Sequence, residues 1–116
     1  MKRIACLVSV LVLFVLAGVV YAHPPQDIVI TFDPAAKMVT AVITHGVSNP
    51  ASHYIAKVDV DLNGKEIISQ AISRQDNNTN QTVKYYIPDA KAGDTLSVEA
   101  YCSISGKLAK EIKIAE

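Results

Sequence analysis

The sequence has no surplus of positive charge: eleven Lys and Arg stand against eleven Asp and Glu, for a formal net charge of zero. A nucleic-acid partner normally requires a basic face, so that class is excluded at the outset. The chain also lacks a glycine-rich loop able to cradle a phosphate. Its serines sit in no strand-to-helix elbow, so nothing in it resembles a hydrolytic nucleophile. Cysteine is scarce, with Cys6 and Cys102 only. No stretch carries a helical period of useful length.

Long apolar runs are confined to the beginning. Met1-Lys2-Arg3 is cationic, Ile4 to Val20 is uncharged and apolar, and Val20-Tyr21-Ala22 offers small or short residues where a signal peptidase reads them. Residues 1–22 are therefore expected to be a cleaved signal peptide, and the protein to be periplasmic or secreted. The alternative is a retained anchor, because about 17–19 apolar residues can just span a bilayer. Cys6 lies too early in the run for a lipoprotein. Cleavage leaves a domain of residues 23–116 that no longer touches the membrane. Losing Lys2 and Arg3 brings eleven basic residues to nine against eleven acidic, a net charge of −2. Cys102 is then the single cysteine of an exported chain, where cysteines usually come in disulfide pairs. It is a buried inert thiol, an intermolecular bridge or a metal ligand.

What fills the rest is alternation with period two. Ile28, Ile30 and Phe32 form one such set; Val39, Ala41 and Ile43 a second; Val58, Val60 and Leu62 a third. Asn63-Gly64 then marks a two-residue hairpin, since both central residues of a type I′ turn need positive φ. A strand follows over Lys65 to Ser73. Val83, Tyr85 and Ile87 make another, then Leu96, Val98, Ala100 and Cys102, and finally Leu108, Ile112 and Ile114. Seven strands with one apolar face each predict an all-β, immunoglobulin-like antiparallel β-sandwich. A regular two-residue hairpin sets Val60 opposite Ile67 and turns Ile68 to the other face. Either that face is also covered, or a bulge shifts the register. Asp59 and Asp61 fall on the outer face of their strand and read as solvated. The polar run Arg74 to Gln81 reads as a solvated loop.

The donors that remain are His23, His45, His53 and Cys102, and imidazole with thiolate suits iron, zinc or copper. Each also has a plain reading. His45 closes an apolar strand and suits an exposed turn; His53 opens the next strand; Cys102 shares the parity of a core strand; His23 lies at a mobile terminus. If cleavage leaves His23 first, its imidazole beside a free α-amine is a copper-chelating pair.

The segments THGVSNPASHYIAKVDVDLNGKEI and AGDTLSVEAYCSISGKL resemble the iron-binding domain of desulfoferrodoxins and superoxide reductases, roughly from Ile28 to Ile114. The resemblance implies an immunoglobulin-like sandwich and a ferrous centre held by four histidines and an axial cysteine, with superoxide reduced at an open position. His45 matches the histidine opening the family's H-P-M loop, with Gly46 in place of the proline. His53-Tyr54-Ile55 matches its H-Y-I signature. Cys102 matches the axial cysteine of C-N-x-H-G, where Ser105 replaces the histidine. His23-Pro24-Pro25 is the counterpart of the early K-H-V-P setting. The family's glutamate-lysine loop has no counterpart. Three histidines in all leave the implied ligand set one short, so the expectation is a metal-binding relative rather than a full superoxide reductase.

HYIAKVDVDLNGKEI and KAGDTLSVEA are also similar to the small subunit of the periplasmic thiosulfate-oxidation carrier. That likeness implies a different protein: a non-catalytic sandwich without metal that supports a partner chain bearing sulfur on a cysteine. A redox or sulfur-carrier protein partner is expected on one resemblance or the other.

Overall fold

The computed structural model describes residues 23–116; the expected signal peptide over residues 1–22 lies outside them. The described chain is all β. Its strands are β1 (Asp27–Asp33), β2 (Met38–Thr44), β3 (Ile55–Leu62), β4 (Lys65–Ala71), β5 (Asn80–Tyr86), β6 (Thr95–Cys102) and β7 (Lys107–Lys113). They form a three-stranded sheet, β1-β2-β5, packed on a four-stranded sheet, β4-β3-β6-β7, with every pairing antiparallel. A constant-type immunoglobulin domain keeps its fourth strand beside the fifth; here β4 pairs with β3 instead, as the tight turn between them dictates.

Alternation explains which residues meet. Ile28, Ile30, Val39, Ala41, Ile43 and Val83 from one sheet close on Ile55, Val58, Val60, Leu96, Val98 and Ala100 from the other. Each Ile, Val or Leu among them contributes about 1.5–3 kcal/mol by leaving water. Asn63 and Gly64 both adopt positive φ, 52° and 83°, as a type I′ turn requires.

Two irregularities adjust the second sheet. In the β3–β4 hairpin the register shifts between Val60 and Asp61: Asp61 pairs with Glu66 and Val60 with Ile68, so Ile67 is the extra residue. The bulge turns Ile68 inward against the core and leaves Ile67 on the surface. Between β3 and β6 a second shift sets Ile55 opposite Cys102 and Lys57 opposite Tyr101, with Ala56 as the extra residue. Ile55 thereby keeps its side chain in the core although its parity differs from that of Val58 and Val60.

One expectation for the outer face needs correction. Asp59 does point outward, but it is only 8% exposed. Ser69 Oγ–H donates to it at 2.6 Å and Lys57 Nζ lies 3.4 Å away. Burial opposes its charge, yet Ser69 and Lys57 outweigh that and hold its carboxyl below the ordinary value.

Antiparallel sandwiches gather their connections at two ends. The segment 23–26, the β2–β3 loop, the β4–β5 loop and the β6–β7 turn share one end. The β1–β2 and β3–β4 turns, the β5–β6 loop and the C-terminal residues share the other.

Candidate metal centre

The parity that buries Val39, Ala41 and Ile43 runs on past the last residue of β2, so His45 follows Ile43 into the interior. It is fully buried, which overturns the exposed-turn reading. Its N–H donates to Thr79 O at 2.9 Å, extending the β2–β5 ladder by one rung. The chain then leaves through Gly46, whose N–H donates to Gln26 Oε1 at 3.1 Å.

His53 is delivered by a compact turn built on Asn49. Ala51 N–H donates to Asn49 Oδ1 at 3.0 Å, and the N–H groups of Ser52 and His53 donate to Asn49 O at 3.1 and 2.9 Å. This side chain is half-buried and its Nε2 sits 3.2 Å from Cys102 Sγ. The Ala56 bulge contributes here, since it sets Ile55 opposite Cys102 and brings the preceding Tyr54 alongside Ser103, with Ser103 N–H donating to Tyr54 O at 2.8 Å.

Cys102 ends β6 and is 8% exposed, in line with its core parity. Its thiol is free of any disulfide. Ile104 N–H approaches Sγ at 3.5 Å. A metal ion bound here would take the place of the proton in the His53–Cys102 hydrogen bond.

His23 is packed rather than free. Its ring centroid lies 5.0 Å from that of His45 and 5.2 Å from that of His53, while His45 and His53 are 4.8 Å apart and nearly perpendicular. Gln26 N–H donates to Thr44 O at 2.8 Å, anchoring the segment to β2. Pro24 rests against Gly106, where an added Cβ would come within 2.9 Å of Pro24 Cα. Gly106 has φ 89°, so the β6–β7 turn needs glycine for its backbone and for this contact. His23 Nδ1 donates to Pro24 O at 3.1 Å, which leaves Nε2 as its ligand atom.

One nitrogen from each histidine lies within 4.8 Å of the others. Metal–imidazole bonds of about 2.0–2.1 Å would draw the three together somewhat further. Burial, then the neighbouring His45 and His53's other neighbour His23, push the His53 pKa down. Its ring is thus held neutral, with a lone pair to give. The site opens onto a shallow cavity of about 540 Å³ lined by His23, Gly46, Val47, Ser48, His53 and Asn78. Among the described residues no carboxylate lines it. Imidazole and sulfur donors without oxygen anions fit a borderline or soft transition metal and do not fit calcium or magnesium.

All four donors singled out in the sequence therefore lie at one end of the sandwich. Ser105, which stands where the resemblance implies another histidine, is exposed on the β6–β7 turn. Sequence reasoning missed Gln75. It belongs to the run expected to be solvated, yet it is 1% exposed, as is nearby Gln81 at 6%. Gln75 Oε1 lies 2.8 Å from His45 Nδ1 and accepts from Ile55 N–H at 3.2 Å; its Nε2–H groups donate to His45 O at 2.7 Å and Asn77 O at 2.9 Å.

A second concavity, of about 260 Å³, lies on the outer face of the four-stranded sheet among Asp59, Asp61, Glu66, Ser97, Glu99 and Tyr101. Two of its four carboxylates are engaged: Asp59 with Ser69 and Lys57, Glu99 with Lys107 and the Tyr101 hydroxyl. The hydrogen bond to Glu99, with burial second, pushes the Tyr101 pKa up.

No protein-family model matches the chain, and no curated protein matches it either.

Proposed function

We propose that this protein is an exported metal-binding module that holds one borderline or soft transition-metal ion through His23, His45 and His53, with Cys102 as fourth donor. The observation that carries the reading is the convergence of three imidazole nitrogens within 4.8 Å of one another, beside a thiol 3.2 Å from His53 Nε2. The resemblance to desulfoferrodoxins makes iron the first candidate, with copper and zinc next. A bound ion of this kind supplies a Lewis-acid or one-electron centre at the mouth of the cavity.

The chain's own residues would do the following. His45, buried and held at Nδ1 by Gln75, sets the floor of the site. His53 and Cys102 exchange the proton of their hydrogen bond for the metal, so loading releases acid. His23 closes the outer side. Ser105 is a neutral hydroxyl on an exposed turn and a poor ligand for ferrous iron, which favours metal holding over superoxide reduction.

The test is elemental analysis of untagged protein purified without oxygen, followed by ferrous loading and oxidation. One equivalent of metal and a thiolate-to-metal charge-transfer band are expected. Equal retention of metal by the parent, Cys102→Ala and His53→Ala proteins would sink the reading. A metal-free protein recovered with a stoichiometric partner would favour the non-catalytic module that the sulfur-carrier likeness implies.

A further inference from the structure

Gln75 comes from the loop joining β4 to β5, far in sequence from every donor, yet it touches the innermost one. Its amide orientation is fixed by backbone. Nε2 faces two carbonyl oxygens, His45 O at 2.7 Å and Asn77 O at 2.9 Å, while Oε1 faces Ile55 N–H at 3.2 Å. Turning the amide over would set oxygen against two oxygens and N–H against N–H. Oε1 can therefore only accept, and the atom 2.8 Å from it, His45 Nδ1, must carry a proton.

The opposite side of the ring agrees. His45 Nε2 lies 3.4 Å from His23 O, too long to compete with the 2.8 Å contact for the proton of a neutral imidazole. Nε2 is then a bare lone pair facing a carbonyl oxygen, two acceptors with nothing between them. A cation at Nε2 resolves that opposition.

We infer that Gln75 is a positioning residue that locks His45 in its Nδ1–H tautomer and so commits Nε2 to the metal. The inference rests on the metal reading given above for the site. Gln75 also ties together the loops that surround the centre, since its own N–H donates to Pro50 O at 3.1 Å. The neutral amide orients the ring without adding charge, whereas a carboxylate in its place would make the imidazole a stronger donor.

Two measurements test this. The first needs no metal: long-range nitrogen–proton NMR on the metal-free protein, at a mildly alkaline pH where imidazoles are neutral. His45 is expected as the Nδ1–H tautomer alone; an Nε2–H tautomer overturns the inference. The second is Co(II) titration against a competing chelator for the parent, Gln75→Met and Gln75→Glu. Methionine keeps the bulk and removes the acceptor, and should weaken Co(II) binding about 10–100-fold and mix the tautomers. Glutamate loses the same two amide donations as methionine but keeps the acceptor, so it should restore the tautomer and most of the affinity. A merely structural role predicts that glutamate, a buried charge, is at least as damaging as methionine; that result, or unchanged binding in Gln75→Met, overturns the inference. If Gln75→Met does not fold, the parent tautomer and the Gln75→Glu titration decide. If the parent takes up no Co(II), the metal reading fails, and the tautomer still decides whether the clamp exists.

Discussion

The two ends of the sandwich are built from the same materials and finished differently. At the far end, Asn63 and Asp94 close the loops on themselves. Asn63 Nδ2 donates to Asp94 Oδ1 at 3.1 Å, Thr95 N–H donates to Asn63 Oδ1 at 2.9 Å, and Lys91 N–H donates to Asp94 Oδ2 at 3.0 Å. Lys37 Nζ adds a 2.6 Å bond to Ala90 O. At the histidine end the contacts are of another kind: an imidazole nitrogen beside a thiol sulfur, and three imidazole rings packed on one another at steep angles. The far end is closed by side chains bonding loop backbone, whereas the near end gathers three imidazoles that could hold a metal ion.

The largest effects should therefore separate the ends by metal, not by stability. His45→Ala or His53→Ala should cost more than the roughly 10–100-fold loss typical of an outer partner, read by chelator competition. Asn63→Ala at the other end should leave metal binding unchanged. Loss of metal in Asn63→Ala would break the contrast.

Next in size are two glycines with the same backbone demand. Gly64 has φ 83° and no atom within 4 Å of an added Cβ, while Gly106 has φ 89° and Pro24 at 2.9 Å. Gly64→Ala should cost about 1–2 kcal/mol in denaturant unfolding, the ordinary left-handed penalty. Gly106→Ala should cost about 2–4 kcal/mol, because overpacking adds to it. It should also weaken metal binding, since the displaced Pro24 carries His23.

Acid should find the ends in sequence. His53 has a folded pKa below its ordinary value of 6.5, so the unfolded chain takes up the proton first. In the metal-free protein its contribution is present above about pH 6.5 and is lost as pH falls through the folded value. Asp94 is held below the usual carboxylate value by Asn63 first and by Lys91 N–H next. Its contribution is lost only below about pH 4. Stability curves for the parent, His53→Ala and Asp94→Asn should separate these windows; a single acid transition shared by all three would erase the distinction. The smallest effect should come from Lys91→Ala. Its 3.5 Å ion pair to Asp94 Oδ1 involves a lysine side chain 76% exposed, and such pairs contribute at most about 1 kcal/mol.

Much of this was legible in the residues. Period-two alternation gives the strands, and Asn63-Gly64 gives the hairpin, because each reports a local geometric demand. The conflict between Ile67 and Ile68 left two alternatives, a covered outer face or a bulge, and the hairpin takes the bulge. The donors were visible by residue type, and His45 could have been assigned to the interior by carrying the parity of Val39, Ala41 and Ile43 two residues further. Gln75 had no such signal. A polar run without periodicity reads as solvated, and what buries Gln75 is the arrival of His45 and Ile55 from two other loops. Asp59 escaped for a similar reason: alternation assigns a face, but not the Ser69 and Lys57 side chains that fold over it.

The bulge at Ile67 also bears on how the chain takes a deletion. Asp61 pairs with Glu66 and Val60 with Ile68, so Ile67 is the one residue of the hairpin that a regular ladder would not contain. A chain shortened by that residue keeps every inward side chain of β3 and β4 in step. It also sheds an isoleucine that is 41% exposed, and reaches the histidine end unaltered. The hairpin is a place where the length of this chain is free to change without its chemistry noticing.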